Sequence, residues 1–557
     1  MKYSVLLTRR SLFIALALLF SVAFAVTMWM AFYTPIYEDE MAWKIFSNRL
    51  FVDQGKLIYL FAQCNRGYLL DMPLTWFPMQ WLDSVIYGNA SNPALMRILG
   101  WIWFIVLVVC WASMLRMTSK LSTPSCILFV TAFFSFGVTP FAMVLNRPEQ
   151  PLLIWLTVAL LLTFWHDRHP LKTYVGKTIV TGFFALLICL IGATHPKGLF
   201  LFPLIAFVWW RCVKWWPASF PLFGVMIWTA LETKQIWFLR TGCEEYPGLS
   251  TMLQNLTLRP NQIWLEPAEF MRDALTNLLN ATQYISQMQF DTQYISDWLP
   301  PAGELFKRLP NVWVSQILIW LPIVVVFILM IINVAESTRQ SLYARSQSKV
   351  TSKRRLPARW AIALLLSFSL LVIMGFQTAK NFYESSFIWP LILLIAIFSF
   401  QHAQQALGQK FVRWVLPILL IAAIISGYFR FELFFQPALQ WQSERHHDWQ
   451  AEQKSLQSFA KNQCDITPDT KNLVLGFSNY GAFWQHQLPI LLTYSAGWWG
   501  IEANFAQTMS KRQAGGLVAE CKDLPKETQA FAKQQGHYCC VSGANLRNLV
   551  NIQVNQK

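Results

Sequence analysis

Three consecutive carboxylates follow directly on an apolar stretch in Ile36-Tyr37-Glu38-Asp39-Glu40-Met41-Ala42-Trp43. Charge at a hydrocarbon boundary is costly, so such a run asks for a purpose. Like charges this close resist joint ionisation, a setting suited to a general base that takes the proton of an incoming hydroxyl. The bland alternative is an acidic, solvated loop with no chemistry. Three short segments elsewhere carry cations: Asn146-Arg147-Pro148-Glu149, Thr194-His195-Pro196-Lys197-Gly198 and Thr378-Ala379-Lys380-Asn381-Phe382-Tyr383-Glu384. Lysine is a compact phosphate partner and arginine a bidentate one. Each segment alone is better read as an anchor whose polar head reaches the interface. Together with the acidic run they outline a site for an anionic lipid.

The elements that must position these residues are membrane spans. The 557-residue chain is 55% hydrophobic and only 13% charged, with a mean hydropathy of +0.36; a soluble chain carries nearer a quarter charged residues. Apolar runs long enough to cross a hydrocarbon core of roughly 30 Å recur. About eleven are expected, near 11–32, 96–115, 124–144, 151–165, 178–194, 198–210, 217–232, 313–333, 360–377, 385–401 and 411–430. The first follows Arg9-Arg10 and resembles a signal peptide, but it runs on to Phe32, so an uncleaved helix is expected.

Basic residues (45 Lys+Arg against 29 Asp+Glu) sit in short connections: Arg116 and Lys120; Arg168, Lys172 and Lys177; Arg211 and Lys214; Lys410 and Arg413; and seven between 334 and 359. With the N-terminus cytoplasmic, all of these fall on one side, as the positive-inside rule requires. That placement, and the lack of any nucleic-acid-binding pattern, excludes a nucleic-acid reading of the basic excess. The other side then receives 33–95, 233–312, the three cationic turns and the tail. Segments 41–50 and 76–82 are amphipathic and able to lie in the interface plane, roofing a cavity at that face.

A transmembrane domain over 1–430 and a soluble domain over 431–557 are expected. The tail has strand-like runs at 472–477 and 538–541, a helix-like stretch near 523–535 and a turn at Gly515-Gly516, the pattern of a small α/β or α+β domain. Cys110, Cys126, Cys189 and Cys212 lie in or near spans, whereas Cys64, Cys243, Cys464, Cys521, Cys539 and Cys540 fall outside, where oxidation is expected. At least one tail disulfide is expected, Cys464 with Cys521 or with Cys539 or Cys540. Cys64 and Cys243 could tie two outer loops together. Neither spacing nor His content suggests a metal centre, although a divalent cation could bridge the acidic loop to a phosphate.

On four motifs the sequence resembles the GT-C superfamily, and within it the bacterial aminoarabinose and protein-mannosyl transferase branch. The motifs are Glu38-Asp39-Glu40-Met41-Ala42-Trp43, Arg147-Pro148-Glu149, His195-Pro196-Lys197-Gly198 before Phe202-Pro203, and Lys380-Asn381-Phe382-Tyr383 before Trp389-Pro390. The plan covers nearly the whole chain, the motifs about thirty residues. The resemblance implies inverting transfer of a sugar from a polyprenyl-phosphate donor to an envelope glycan, lipid A or protein at the periplasmic face of a bacterial inner membrane. It implies Asp39 as base with Glu40 its neighbour, and Arg147, Lys197, Lys380 and Tyr383 as donor-phosphate contacts. Glu38, Lys56, Arg66, Asp71 and His195 are further candidate substrate contacts. The Lys380 turn departs from the family, reading Asn-Phe-Tyr-Glu-Ser-Ser where relatives carry a run ending in Leu-Pro.

Two other functions use the same features. A transporter or flippase of lipid-linked saccharides would line a path with charges, but no internal repeat is visible. A polymerase or ligase of preassembled glycans would share the donor type.

Overall fold

The computed structural model describes residues 2–34, 40, 93–145, 147–241, 258–259, 261–288, 312–346, 358–378, 385–437, 439–440, 449–476, 479–483, 490–492, 509–510 and 513–555. The chain divides into two compact units. One comprises Met1–Thr34, Gly100–Ala230 and Asn261–Trp441; the other comprises Pro35–Leu99, Leu231–Pro260 and Gln442–Lys557.

The first unit is a bundle of apolar helices. Among the described residues eight helices are long and apolar enough to cross a membrane: Ser11–Phe32, Arg97–Thr118, Tyr174–Thr194, Pro196–Val213, Gln316–Arg339, Arg359–Phe376, Ser386–Gly408 and Trp414–Phe435. The chain is a multi-pass membrane protein. The other expected spans are also helical, within Thr123–Phe134 and Thr139–Val144, Glu149–Arg168, and Ser219–Thr241, but they fall outside those eight. Ser386–Gly408 is the central helix, 94% of its apolar window being buried, whereas Ser11–Phe32 is peripheral at 17%. Leu12, Val22, Ile179, Phe220 and Ile317 stand exposed on the outside of the bundle; there, lipid is the solvent that makes apolar exposure favourable.

Local chemistry sets the helix ends. Ser122 Oγ accepts from the Ser125 amide at 3.4 Å to start Thr123–Phe134, and Thr173 Oγ1 accepts from the Gly176 amide at 3.1 Å to start Tyr174–Thr194, each satisfying a first-turn donor. The expected span 124–144 is broken after Phe134. Gly137 adopts φ 53°, a left-handed backbone open to glycine, and Pro140 starts the second piece. The carbonyls freed at the break are caught by a buried side chain: Arg430 Nη1 donates to Ser135 O at 2.8 Å and Gly137 O at 3.0 Å, and its Nη2 donates to Thr27 Oγ1 at 2.6 Å. In hydrocarbon a broken helix persists only where such partners replace the lost ladder. The stretch 178–210 resolves into two helices joined by a 3₁₀ turn, Pro196–Leu201. Gly408, at φ 72°, interrupts Ser385–Arg430 and divides it into the two spans expected there.

The tail carries a five-stranded mixed sheet of order β2-β1-β3-β5-β4: β1 Leu473–Gly476, β2 Ile490–Leu492, β3 Gly516–Glu520, β4 Lys533–Gln535 and β5 Tyr538–Ser542. Strands β1, β2 and β3 pair in parallel, while β5 runs antiparallel to both β3 and β4. Helices Trp449–Cys464 and Gly543–Asn555 pack on it. The helix expected over 523–535 is only the turn Lys526–Gln529, followed by β4. Gly536, at φ 61°, turns the chain there, so the Lys533–Gln535 segment pairs with β5 instead of continuing a helix.

Two disulfides close the domain, Cys464–Cys540 and Cys521–Cys539. Neighbouring residues of a strand face opposite sides of a sheet. Cys539 and Cys540 therefore fasten the two faces of β5 separately, one to the segment after β3 and one to the end of helix Trp449–Cys464. Cys110, Cys126, Cys189 and Cys212 are free thiols. Cys64 and Cys243 lie outside the described residues.

Candidate active site

The His-Pro-Lys-Gly segment is a compact turn built by its own residues. His195 ends helix Tyr174–Thr194 in extended backbone, and its Nδ1 accepts from the Lys197 amide at 3.1 Å. Pro196 opens the 3₁₀ turn, and the Gly198 amide donates to His195 O at 2.8 Å. A Cβ on Gly198 would meet the Ile191 carbonyl oxygen at 2.4 Å, so only glycine lets the turn fold back on the preceding helix. This fixes where Lys197 leaves the backbone.

The Arg-Pro-Glu segment meets it. Pro148 is the N-cap of helix Glu149–Arg168, which places Glu149 in the first turn, where the helix dipole favours a carboxylate. Arg147 Nε donates to Glu149 Oε2 at 3.2 Å, and Lys197 Nζ lies 3.6 Å from Glu149 Oε1. All three are buried, Glu149 completely. Lys197 Nζ also stands 6.0 Å from the centroid of the Phe387 ring, within reach of a cation–π attraction. Burial alone would push the Glu149 carboxyl up, but Arg147, Lys197 and His195 together hold it at about 2. Arg147 and Lys197 stand out in the sequence as cations, whereas Glu149 emerges only here as the group that joins them. The available signal was an acid two residues after Arg147, at the very start of an apolar run.

The acidic loop is described at Glu40 alone. Its carboxylate is fully buried and forked on Arg97, with Nε to Oε1 at 2.9 Å and Nη2 to Oε2 at 2.6 Å. Arg97 stands near the start of helix Pro93–Thr118. This two-point geometry is the strongest form of a carboxylate–guanidinium pair, and it sets Glu40 as a fixed point one peptide unit after Asp39. Arg97 falls within the expected second span, 96–115, and nothing in its sequence neighbourhood marks it as the partner of Glu40. Asp39, Glu38, Lys56, Arg66, Asp71, Lys380 and Tyr383 lie outside the described residues. Among the described residues no group of three or more His, Cys, Asp or Glu side chains is placed to hold a metal ion.

No protein-family model matches the chain, and no curated protein matches it. Solved structures similar to it include ArnT from Cupriavidus metallidurans bound to undecaprenyl phosphate. That likeness is at 12% identity and a TM-score of 0.43, covering 95% of this chain and 98% of the other. The apo state of the same ArnT is similar at 13% identity and a TM-score of 0.44, covering 97% and 99%. The oligosaccharyltransferase of Archaeoglobus fulgidus, in complex with Zn and sulfate, is similar at 11% identity and a TM-score of 0.43, covering 90% of this chain and 68% of that one.

Proposed function

We propose that the chain is an inverting glycosyltransferase that moves a sugar from a polyprenyl-phosphate donor to an envelope glycan, lipid A or protein acceptor. The observation that carries this reading is the buried Arg147–Glu149–Lys197 cluster. One carboxylate holds an arginine and a lysine in place before any ligand arrives, which is how preorganised charge stabilises a phosphate that gains charge as it leaves. In the reaction, an acceptor oxygen attacks the anomeric carbon and its proton passes to Asp39. The bond from that carbon to the phosphate oxygen breaks, and polyprenyl phosphate departs with the electron pair. Phosphate is a good leaving group, so no second carboxylic acid is needed to protonate it. Lys380 and Tyr383 complete the phosphate contacts in this proposal, and His195 shapes the Lys197 turn. Glu38, Lys56, Arg66 and Asp71 are assigned to substrate contacts.

The transfer is placed at the outer face of a bacterial inner membrane, with the N-terminus cytoplasmic and the sheet domain periplasmic. Two disulfides in the tail support an oxidising compartment. The test is turnover of polyprenyl-phosphate monosaccharides by purified protein. Asp39→Asn should lower it by about 10²–10⁴-fold, the worth of a positioned base. Turnover equal to wild type would remove Asp39 from that role.

A further inference from the structure

The transfer chemistry leaves a second group of charges unused, half-buried to exposed and set beside two buried histidines. Helix Glu149–Arg168 begins at Glu149 and carries Asp167 in its last turn, roughly 27 Å further along its axis. At that far end Arg211 Nη2 donates to Asp167 Oδ1 at 2.7 Å. Arg359 donates to Gln401 Oε1, and its guanidinium stands 5.5 Å from the centroid of the Phe164 ring. Asp167 and Arg211 act electrostatically on Arg359, which with Glu336 acts on His402. His166 Nε2 lies 3.0 Å from the Cys212 carbonyl oxygen and feels Asp167, Lys214 and Arg211. Arg211, Lys214 and Arg359 thus outnumber Asp167, while Glu336 is matched by Arg339 at 3.9 Å.

Basic residues at helix ends commonly do no more than complement carbonyl dipoles and follow topology. Two observations go beyond that role here. His402 is 6% exposed and His166 9%, and each keeps a buried Nδ1 with no hydrogen-bond partner among the described residues, as does Arg211 Nε. An unmet buried donor is costly, so the orphaned Arg211 Nε and His402 Nδ1 beside surplus cations fit an oxygen-rich anion, whereas His166, whose Nε2 donates to the Cys212 carbonyl, offers only a lone pair at Nδ1. The level of the cluster indicates which one. Arg359 opens the apolar span Arg359–Phe376, and Arg211 and His402 lie near the ends of Pro196–Val213 and Ser386–Gly408. The ends of a helix that crosses the hydrocarbon core lie at the level of lipid headgroup phosphates. Trp165 and Trp210 stand exposed beside it, as side chains of an interfacial belt do.

The geometry points to a second anion site, formed by Arg211, Arg359 and His402, that takes the phosphate of an anionic lipid headgroup in the leaflet opposite the Lys197 turn. The test uses the full-length protein, delipidated in detergent and titrated with phosphatidylglycerol, phosphatidylcholine or inorganic phosphate under native mass spectrometry. One phosphatidylglycerol should be retained in preference to phosphatidylcholine. Arg359→Gln and His402→Ala should each weaken it by about tenfold, while Arg359→Lys, which keeps the charge and checks the fold, should retain most of it. Equal retention by wild type and both neutral variants overturns the site. Displacement by millimolar inorganic phosphate, with no preference between the lipids, overturns the lipid assignment.

Discussion

The two buried carboxylates are held in different ways. Glu40 meets the Arg97 guanidinium through two short bonds of 2.6 and 2.9 Å. Glu149 is shared by Arg147 and Lys197 at 3.2 and 3.6 Å. The first geometry has the directionality of a strut, in which both oxygens and two nitrogens of one guanidinium are committed to each other. The second is also two-pointed on Arg147, with Nη2 to Oε1 at 3.5 Å, but its contacts are longer and Lys197 shares the carboxylate, so a phosphate can compete for those cations at lower cost. In the proposed reaction the difference separates positioning from binding, with Glu40–Arg97 anchoring the chain next to Asp39 and Glu149 presenting cations.

That distinction can be broken first at Arg97. Arg97→Ala leaves Glu40 buried without its guanidinium and should cost about 3–5 kcal/mol of stability, read by thermal unfolding in detergent. Combining Arg97→Met with Glu40→Leu should restore most of that stability while turnover stays low. Full turnover in the double variant would show that the strut does not position the proposed base, Asp39. The next largest effect is expected at Lys197, where Lys197→Ala should lower turnover by about 10²-fold with the unfolding temperature nearly kept. A collapse in stability there, as large as at Arg97, would erase the contrast between the sites.

The smallest effect is one of pH. The Glu149 carboxyl, with an ordinary value of 4.5, is held at about 2, below its value in the unfolded chain. Its contribution to stability is therefore complete above roughly pH 5 and is lost progressively as pH falls toward 2. Stability scans of wild type and Glu149→Gln should converge over that window and run parallel above it. Curves that stay parallel down to pH 2 would remove the charge of Glu149 as the cause.

The membrane class was legible because twenty apolar residues in a row have one physical use, and the helix positions followed from the same runs. The break after Phe134 was not legible. It depends on Arg430, nearly three hundred residues away, to satisfy the Ser135 and Gly137 carbonyls. In the tail, the strands β1 and β5 were visible as short apolar runs, but β4 was hidden inside a stretch of helix-forming residues. Pairing with β5 outweighed that local propensity. The even number of outer cysteines predicted bridging without choosing partners, because spacing alone leaves the connectivity open; the register of β5 against β3 brings Cys539 near Cys521, and the packing of helix Trp449–Cys464 on β5 brings Cys464 to Cys540.

For the candidate site the division is similar. Residue types by themselves determined that acids and phosphate-competent cations lie at the ends of apolar runs, since charge is expelled from hydrocarbon whatever the fold. Which acid meets which base was decided only by the tertiary structure. Lys197 reaches Glu149 because Gly198 lets its turn close on Ile191, and Glu40 finds Arg97 across an interval of 57 residues. Ion pairs form over a few ångströms of space, and distance along the chain carries no record of that approach.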